Sequence, residues 1–580
     1  MSDFVTYLRE RLRDDRAFVF LRDDLEEERL TFTELDRRAR AVAVWLTGLG
    51  MADRPVLLLY PAGLDFTVAF LGCLYARALA VPAPLPQAGG QHADRVRALL
   101  ADSGAALVLT DAAHASALTE MAHASEPAAP PVHAVPPIRR GGAEAADPPV
   151  RDGAGAADPD AWSPPAMSGD TIAYLQYTSG STSEPRGVEV SHRGLLHNLG
   201  LFRELAGAVP PRRIAGWLPH YHDMGLVGLQ LQALHTGADL VLMSPNAFVA
   251  RPVRWLEAIS RYRADWTVAP DFGYSWCTRR ITDAECAGLD LSSLTMALSG
   301  AEPINPGTLD AFARKFAPAG FRPTTWNPGY GLAECTLMVT CTPRGLGPTV
   351  RRFAPDGLER RRAVPSADGV PLVACGSPTG LDLRIVDPDT LAPLPDGGIG
   401  EIQVAGPSVA AGYRGRPDAT RATFRTGDDG RWLRTGDLGF LLDGRLYVTG
   451  RLKDVIIVRG RNLHPHDLEE AARAAHPASG RGVAFGVVRR GSGEHVVLVQ
   501  EVRRGREGHA GEMADRILDR LTGRFGVPVS VVVVGHGEVR QTTSGKLRRR
   551  HMRDLLLRGG LTPVHTELEP ALKDLLPASP

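Results

Sequence analysis

Several things are scarce in this 580-residue chain, and each scarcity narrows what it can do. It has no net charge, since 66 Lys and Arg balance 66 Asp and Glu, so no bulk field draws it to nucleic acid or to an anionic membrane. Its six cysteines (Cys73, Cys277, Cys286, Cys335, Cys341 and Cys375) include no Cys-x-x-Cys pair. That pattern predicts reduced thiols in a cytoplasmic protein. No apolar run approaches the ~18 residues of a membrane span, so no stable membrane insertion is expected. Residues 1–13 are charged throughout and lack the apolar core of a signal peptide. No internal repeat is visible.

What is present suits a globular protein: 44% hydrophobic and 23% charged residues. The length exceeds one core and predicts two to four domains. In residues 31–50, Thr31 and Glu34 form a capping-box pattern. Leu35, Ala39, Val42, Leu46 and Leu49 then recur at helical spacing until Gly50. A strand over 56–60, a helix over 66–76, a proline-punctuated exit over 80–86, a helix over 96–101 and a strand over 106–110 continue the alternation. This order predicts α/β layers with a mainly parallel sheet. Residues 112–168, rich in Ala, Pro, Gly and Asp, read as an exposed connection. Further strands are expected at 385–386 and 401–404, and two around Gly450-Arg451 within 445–459. The rest reads as helices over 468–475 and 513–525 with strands over 483–488, 496–502 and 529–534, a small α+β domain of ordinary size. The last twenty residues read as a short helix and a frayed tail.

The most chemical stretch is residues 176–188. An apolar run leads into Thr178, Ser179, Gly180, Ser181, Thr182 and Ser183, followed by Pro185, Arg186 and Gly187. Hydroxyls and free backbone N–H groups suit phosphate oxygens, and glycine lets a ligand approach the backbone. By composition alone the stretch is equally a Ser/Gly surface turn. It is not a Walker A loop, because six residues separate Gly180 from Gly187 and Val188 follows.

Other constellations follow in order: Trp217-Leu218-Pro219-His220-Tyr221-His222-Asp223-Met224-Gly225-Leu226, Ser299-Gly300-Ala301-Glu302-Pro303, Tyr330-Gly331-Leu332-Ala333-Glu334, Leu433-Arg434-Thr435-Gly436-Asp437-Leu438-Gly439, Gly450-Arg451-Leu452-Lys453-Asp454, Arg459-Gly460-Arg461-Asn462 and Thr542-Thr543-Ser544-Gly545-Lys546-Leu547. Each alone is weak. Together, over nearly the full length, they resemble the acyl-adenylate-forming superfamily of acyl-CoA synthetases, peptide-synthetase adenylation domains and luciferases. Within it, the 217–226 and 446–462 segments, Ala333 and an arginine-rich insertion roughly at 341–374 resemble the fatty acyl-AMP ligases. In that branch the insertion is associated with failure to make acyl-CoA.

The resemblance implies a fold and a chemistry. The fold would be a large N-terminal domain (1–452) of several subdomains, with two mixed α/β sheets and a β-rich part, followed by a small mobile α+β domain (453–580) hinged at Lys453. The reaction would join a fatty acid carboxylate to the α-phosphorus of ATP, expelling pyrophosphate, with ATP and Mg²⁺ as cofactors. Such catalysis is largely positioning and charge neutralisation. Thr178, Ser179, Gly180, Ser181, Thr182 and Arg186 would hold phosphates. Arg186 and Ser183 stand where the family usually has Lys and Gly, so the clamp is expected to be stiffer and its cation differently shaped. Gly300, Ala301, Glu302, Tyr330, Gly331, Leu332 and Ala333 would border the adenine. Asp437 would take the ribose hydroxyls and Arg451 the ribose or α-phosphate. Glu334 would help hold Mg²⁺; the plainer reading is a carboxylate at a helix N-terminus. His222 would sit beside the acyl carboxylate, or form a structural pair with Asp223. Lys546 would reach carboxylate and α-phosphate as charge develops; a lysine before Arg548-Arg549-Arg550 is otherwise a solvated basic face. Trp217, Met224, Gly225, Leu229, Phe272 and Trp276 would line the acyl pocket, although an aromatic stripe is equally plain core. No acidic residue is placed to bind an amino acid's amine.

The implied acceptor is the phosphopantetheine thiol of an acyl carrier protein, or of a polyketide or peptide synthetase carrier domain. No carrier site of the Asp-Ser-Leu type is fused to the chain. A fatty acyl-CoA synthetase shares every adenylating residue and is the alternative. A non-catalytic nucleotide sensor is a third reading, supported only by Ser183 and Arg186. The expected state is a monomer or weak dimer that does not bind nucleic acid.

Overall fold

A computed structural model describes residues 3–575 except 13–14, 24–25, 87–90, 124–129, 136–156, 178–184, 208, 428–429, 459–460, 490–492 and 542–546; the side chains of 91–95 and 122–123 are likewise not described. The alternating helices and strands build two large sheets in the first 380 residues. One has six strands in the order Val132–Ala134, Leu107–Thr110, Pro55–Tyr60, Leu79–Pro84, Ile172–Tyr177, Gly187–Ser191. The first five run parallel and the last is antiparallel. The other has nine, and its parallel middle holds Asp239–Met243, Arg213–Gly216, Trp266–Pro270, Met296–Gly300 and Trp326–Gly331. Fully apolar strands such as Pro55–Tyr60 form because helices cover both faces. The helix Asp65–Tyr75 is one cover, and behind it packs the helix Phe32–Gly48. The Thr31 hydroxyl caps it by accepting from the Glu34 amide, while the Glu34 carboxylate turns instead to Arg37 and Arg38, leaving the capping box half-made.

A five-stranded antiparallel sheet around Gly400–Ala405 and Gly430–Leu442 supplies the β-rich part. The chain then closes with a four-stranded sheet, Ser479–Arg489, Gly493–Val502, Val529–Val534 and Pro563–Glu567, sandwiched between helices. The apolar cores divide along the chain between Tyr447 and Ile456. The architecture is the mixed α/β one expected.

Local expectations need four corrections. The proline-rich exit is a buried parallel strand, Leu79–Pro84. It pairs along its whole length with Pro55–Tyr60 but meets Ile172–Tyr177 only at Ala80 and Tyr174. Pro82 and Pro84 lack the N–H a full second ladder needs. Part of the stretch expected as an exposed connection is ordered: it holds a helix, Ala115–His123, and an edge strand, Val132–Ala134, while Trp162 packs on Tyr75. Gly450 and Arg451 lie inside the strand Arg445–Arg451 rather than between two strands. Near the end, a helix Arg549–Leu557 and a strand Pro563–Glu567 precede the last short turn Pro570–Leu575.

The 341–374 segment folds on itself. A hairpin of Val350–Phe353 and Val370–Val373 carries the short helix Pro355–Glu359.

Candidate functional site

The motif residues gather where the parallel strands end. Ile172–Tyr177 leads into residues 178–186, and the chain returns antiparallel along Gly187–Ser191, with Tyr177 facing Gly187. The loop therefore joins strand to strand, whereas a Walker loop joins strand to helix. Thr178, Ser179, Gly180, Ser181, Thr182 and Ser183 lie outside the described residues. At the loop's base the buried Gln176 donates from Nε2 to the Tyr221 carbonyl at 3.0 Å. That bond ties the loop to the turn carrying His222.

His222 Nδ1 lies 2.7 Å from Asp223 Oδ1, and the Met224 amide donates to that oxygen at 2.7 Å and to His222 Nδ1 at 3.3 Å. These contacts hold the ring by its Nδ1 edge. Gly225 closes the turn. A Cβ there would stand 2.1 Å from the Pro219 carbonyl oxygen, so backbone fills the space and Gly225 is a packing residue of the turn. A π-helical run, Leu226–Leu231, follows directly, and such runs frequently mark functional sites.

Two strands over, Met296–Gly300 ends at Ala301, which holds φ +65°. Positive φ in a residue with a side chain is strained and clusters at binding sites. Glu302 accepts from the Phe272 amide at 2.6 Å, linking this bend to the next strand's end. On Trp326–Gly331, the Tyr330 hydroxyl donates to Asp437 Oδ2 at 2.8 Å, and Arg451 Nε donates to Asp437 Oδ1 at 3.1 Å. Both Asp437 oxygens are thus already engaged, and any diol would share their second lone pairs. Asp437 in turn holds the Arg451 guanidinium firmly in its charged form.

Glu334 sits in a three-residue turn, Ala333–Cys335, between Trp326–Gly331 and Met338–Cys341. This is no helix N-terminus, so the plainer reading falls. The hairpin is tight: a Cβ on Gly331 would stand 1.9 Å from the Leu337 carbonyl oxygen. Thr336 is held at φ +66°. The buried Asn198 supports the whole bend. Its Nδ2 donates to Cys335 O (3.2 Å), Met338 O (2.8 Å) and Ser408 Oγ (3.1 Å), and its Oδ1 accepts from the Met338 amide (3.0 Å). The Tyr413 hydroxyl donates to Glu334 Oε1 at 2.8 Å. Burial nonetheless pushes the Glu334 carboxyl above its usual range. Burial likewise pushes the neighbouring Cys335 thiol up and leaves it inert.

Among the described residues no cluster of three or more His, Cys, Asp or Glu could hold a metal. A single half-buried carboxylate with one oxygen left by Tyr413 suits Mg²⁺, which takes one or two carboxylates plus substrate phosphates.

The aromatic wall is mixed. Trp217 stacks on Phe248 at 3.8 Å and meets Phe272 edge-on at 5.6 Å. Met224 and Leu229 are buried beside them. Trp276 is committed elsewhere: its Nε1 donates to the Val249 carbonyl, and the Arg279 and Arg280 guanidinium groups lie over its ring.

Lys453 is exposed in the turn that follows Arg451. Lys546 lies outside the described residues; Gln541 and Leu547, on either side of it, pair as an antiparallel bridge. From the 341–374 segment, Glu359 receives a two-pronged ion pair from Arg461 at 2.7 and 2.6 Å, and its carbonyl accepts from Asn462 Nδ2 at 2.7 Å. Asn305 Nδ2 donates to Glu470 at 2.8 Å. These contacts join the two parts of the chain.

Sequence reasoning missed Asn198 and Tyr413. Asn198 carried a signal: it is a polar residue on the apolar face that Leu195, Leu199 and Phe202 mark out. Tyr413 carried none, standing in an irregular stretch.

Residues 8–414 match the AMP-binding enzyme family. The chain is 38% identical to the medium-chain-fatty-acid–[acyl-carrier-protein] ligase JamA of Moorena producens (strain JHB), covering 94% of this chain and 93% of that one. It is also 38% identical to the putative fatty-acid–CoA ligase FadD21 of Mycobacterium tuberculosis, covering 94% and 96%. Among solved structures it resembles a fatty acyl-adenylate ligase from a study of the E. coli and L. pneumophila enzymes, at TM-score 0.85 and 32% identity over 96% and 97% of the chains. It also resembles the L. pneumophila fatty acyl-adenylate ligase in complex with acyl adenylate and pyrophosphate, at TM-score 0.72 and 33% identity over 97% of each.

Proposed function

This chain belongs to the AMP-binding enzyme family and is an acyl-adenylate-forming fatty acid ligase, and from that premise we propose that it passes its acyl group to the phosphopantetheine thiol of an acyl carrier protein. The observation that carries the acceptor is the Glu359 clamp, because it fastens the 341–374 insertion to the C-terminal part through Arg461 and Asn462. Domain rotation about Lys453 has to break or carry those bonds; a docking carrier protein can offset them with contacts of its own, whereas CoA brings no protein surface. The name of JamA points the same way; that of FadD21 favours CoA as the second reading.

In the proposed mechanism His222 and the 178–186 loop orient carboxylate and phosphates. Contacts at Nδ1 from Asp223 and the Met224 amide fix the His222 ring beside the substrate. Asp437, held by Tyr330 and Arg451, receives the ribose. Mg²⁺, when bound at Glu334, neutralises phosphate charge. Lys546 stabilises charge on the reacting oxygens and leaves with the C-terminal part when acyl transfer begins. The carboxylate oxygen bonds to the α-phosphorus as the bond to pyrophosphate breaks.

Full-length protein with ATP, Mg²⁺ and a series of fatty acids is expected to exchange pyrophosphate and form acyl-AMP by mass spectrometry. Lys546→Ala should slow the exchange by about 10²–10³-fold. Offered CoA or a holo carrier protein, the enzyme should acylate the carrier. Comparable acyl-CoA formation overturns the acceptor assignment.

A further inference from the structure

Tyr413 touches two site groups from distant parts of the chain. Its hydroxyl donates to Glu334 Oε1 at 2.8 Å, and the Arg186 guanidinium lies 5.5 Å from its ring centroid. Among the described residues no direct bond joins the two groups. The tyrosine itself is fixed. It is buried, its ring meets Phe424 edge-on at 5.4 Å, and its amide donates to Thr420 Oγ1 at 3.0 Å.

Its backbone is fixed to the same two places. Val188 and Tyr413 form an antiparallel bridge; the Glu189 amide donates to Gly412 O at 2.9 Å and the Arg414 amide to Gly187 O at 2.8 Å. That lashes the segment to the strand emerging from the phosphate loop. On its other side the Ala410 amide donates to Glu334 O at 2.9 Å, and Ser408 O accepts from Thr336 Oγ1 at 2.9 Å. One irregular segment, 408–414, therefore braces both the exit of the loop and the bend carrying Glu334.

We infer that Tyr413 is a positioning residue that fixes the Glu334 carboxylate and the Arg186 guanidinium relative to one another, so that the divalent cation and the ATP phosphates are gripped as one unit. The phenol holds Oε1 with a charge-assisted bond and so presents the other oxygen to the cation. The ring supports the guanidinium by its quadrupole, and Arg suits this platform better than Lys because its plane stacks. This gives a physical setting for arginine at position 186. The inference rests on the proposed roles of Glu334 and Arg186.

Two variants separate the two contacts. Tyr413→Phe keeps the ring and removes the donor; Tyr413→Leu removes both. ATP binding to the full-length protein is measured by calorimetry across a Mg²⁺ titration and in EDTA, alongside thermal unfolding. Tyr413→Phe should raise the Mg²⁺ needed by about tenfold and leave ATP affinity in EDTA unchanged. Tyr413→Leu should in addition weaken ATP binding in EDTA, as Arg186→Ala should. The Tyr413→Phe effect should vanish in a Glu334→Gln background. If Glu334→Gln shifts the Mg²⁺ requirement and Tyr413→Phe does not, the inference fails while the site reading stands. If Glu334→Gln and Arg186→Ala both bind ATP and Mg²⁺ like wild type, the site reading itself fails. Equal losses in Phe and Leu variants that track a lower unfolding temperature make Tyr413 merely structural and overturn the inference.

Discussion

The two parts of the chain are held in opposite ways. Around Glu334 the structure is secured from within: Asn198, wholly buried, makes four hydrogen bonds to backbone and Ser408, and the segment 408–414 adds a backbone lacing. The C-terminal part meets the N-terminal part through side chains nearer water, Arg461 with Glu359 and Asn305 with Glu470. Buried polar networks are costly to disturb, whereas partly exposed pairs exchange readily with solvent. On the proposed mechanism, the difference separates what must hold still, the nucleotide frame, from what is released between half-reactions. It also says where mutations should hurt most.

The largest effect is expected on the inner side. Asn198→Leu keeps the branched shape and leaves the Met338 amide and the Cys335 and Met338 carbonyls without their partner. Each stranded buried group costs roughly 1–3 kcal/mol, so a loss of about 3 kcal/mol or more is expected in urea unfolding. Acyl-AMP formation should fall with it, because the bend carrying Glu334 loses its support. An unfolding midpoint within error of wild type would show that the lacing by 408–414 suffices alone.

These supports explain what could and could not be read in the sequence. Helix Phe32–Gly48 and strand Pro55–Tyr60 follow from periodicity and apolarity, which are local properties. Strand Leu79–Pro84 was hidden by two prolines that a parallel neighbour tolerates, and helix Arg549–Leu557 by an arginine run that reads as solvent. In the site, residues in contiguous motifs were legible through resemblance. Their partners were not, because Tyr413 is 79 residues from Glu334 and Asn198 is 140 from Met338. No local pattern records such pairings. One compositional cue points to Lys546: Lys315, Lys453, Lys546 and Lys573 are the only lysines. In a chain where arginine serves nearly everywhere, two of four lysines fall at the proposed hinge and reacting positions.

A second prediction sits where the two parts meet. Asp271 is buried and accepts from the Asn305 amide and the Thr308 hydroxyl, with Arg473 and Glu470 facing it from the C-terminal part. Burial pushes its carboxyl up to about 6, against the two hydrogen bonds and Arg473, with Glu470 adding to the rise. The folded state thus favours the protonated acid. Its stability contribution is full below the unfolded value of roughly 4 and is lost as pH rises through about 6. Two units correspond to about 3 kcal/mol at most. Asp271→Asn keeps an acceptor for Asn305 and cannot ionise. It should be more stable than wild type at pH 8 by about 2 kcal/mol and equal to it near pH 4. A difference independent of pH would mean that the carboxylate is satisfied by Arg473 and that this contact between the parts is stronger than its neighbours.

The smallest effect is expected at the outer clamp, and its direction matters more than its size. The Arg461–Glu359 pair is partly exposed, with side chains 35% and 18% accessible, so Glu359→Ala should cost only about 1 kcal/mol. Folding and acyl-AMP formation should be nearly unchanged. On the proposed mechanism the pair restrains movement of the C-terminal part, and about 1 kcal/mol corresponds to roughly fivefold in the population of a released arrangement. Acyl-CoA formation should therefore rise by up to about that factor in Glu359→Ala and in Arg461→Ala. The two should not add in the double variant, because either substitution removes the same contact. High salt should raise wild-type CoA turnover toward the variants, since screening weakens a partly exposed pair far more than the buried frame. If the variants lose acyl-AMP formation instead, the clamp belongs with the inner supports, and the division between a fixed frame and a releasable cap does not hold.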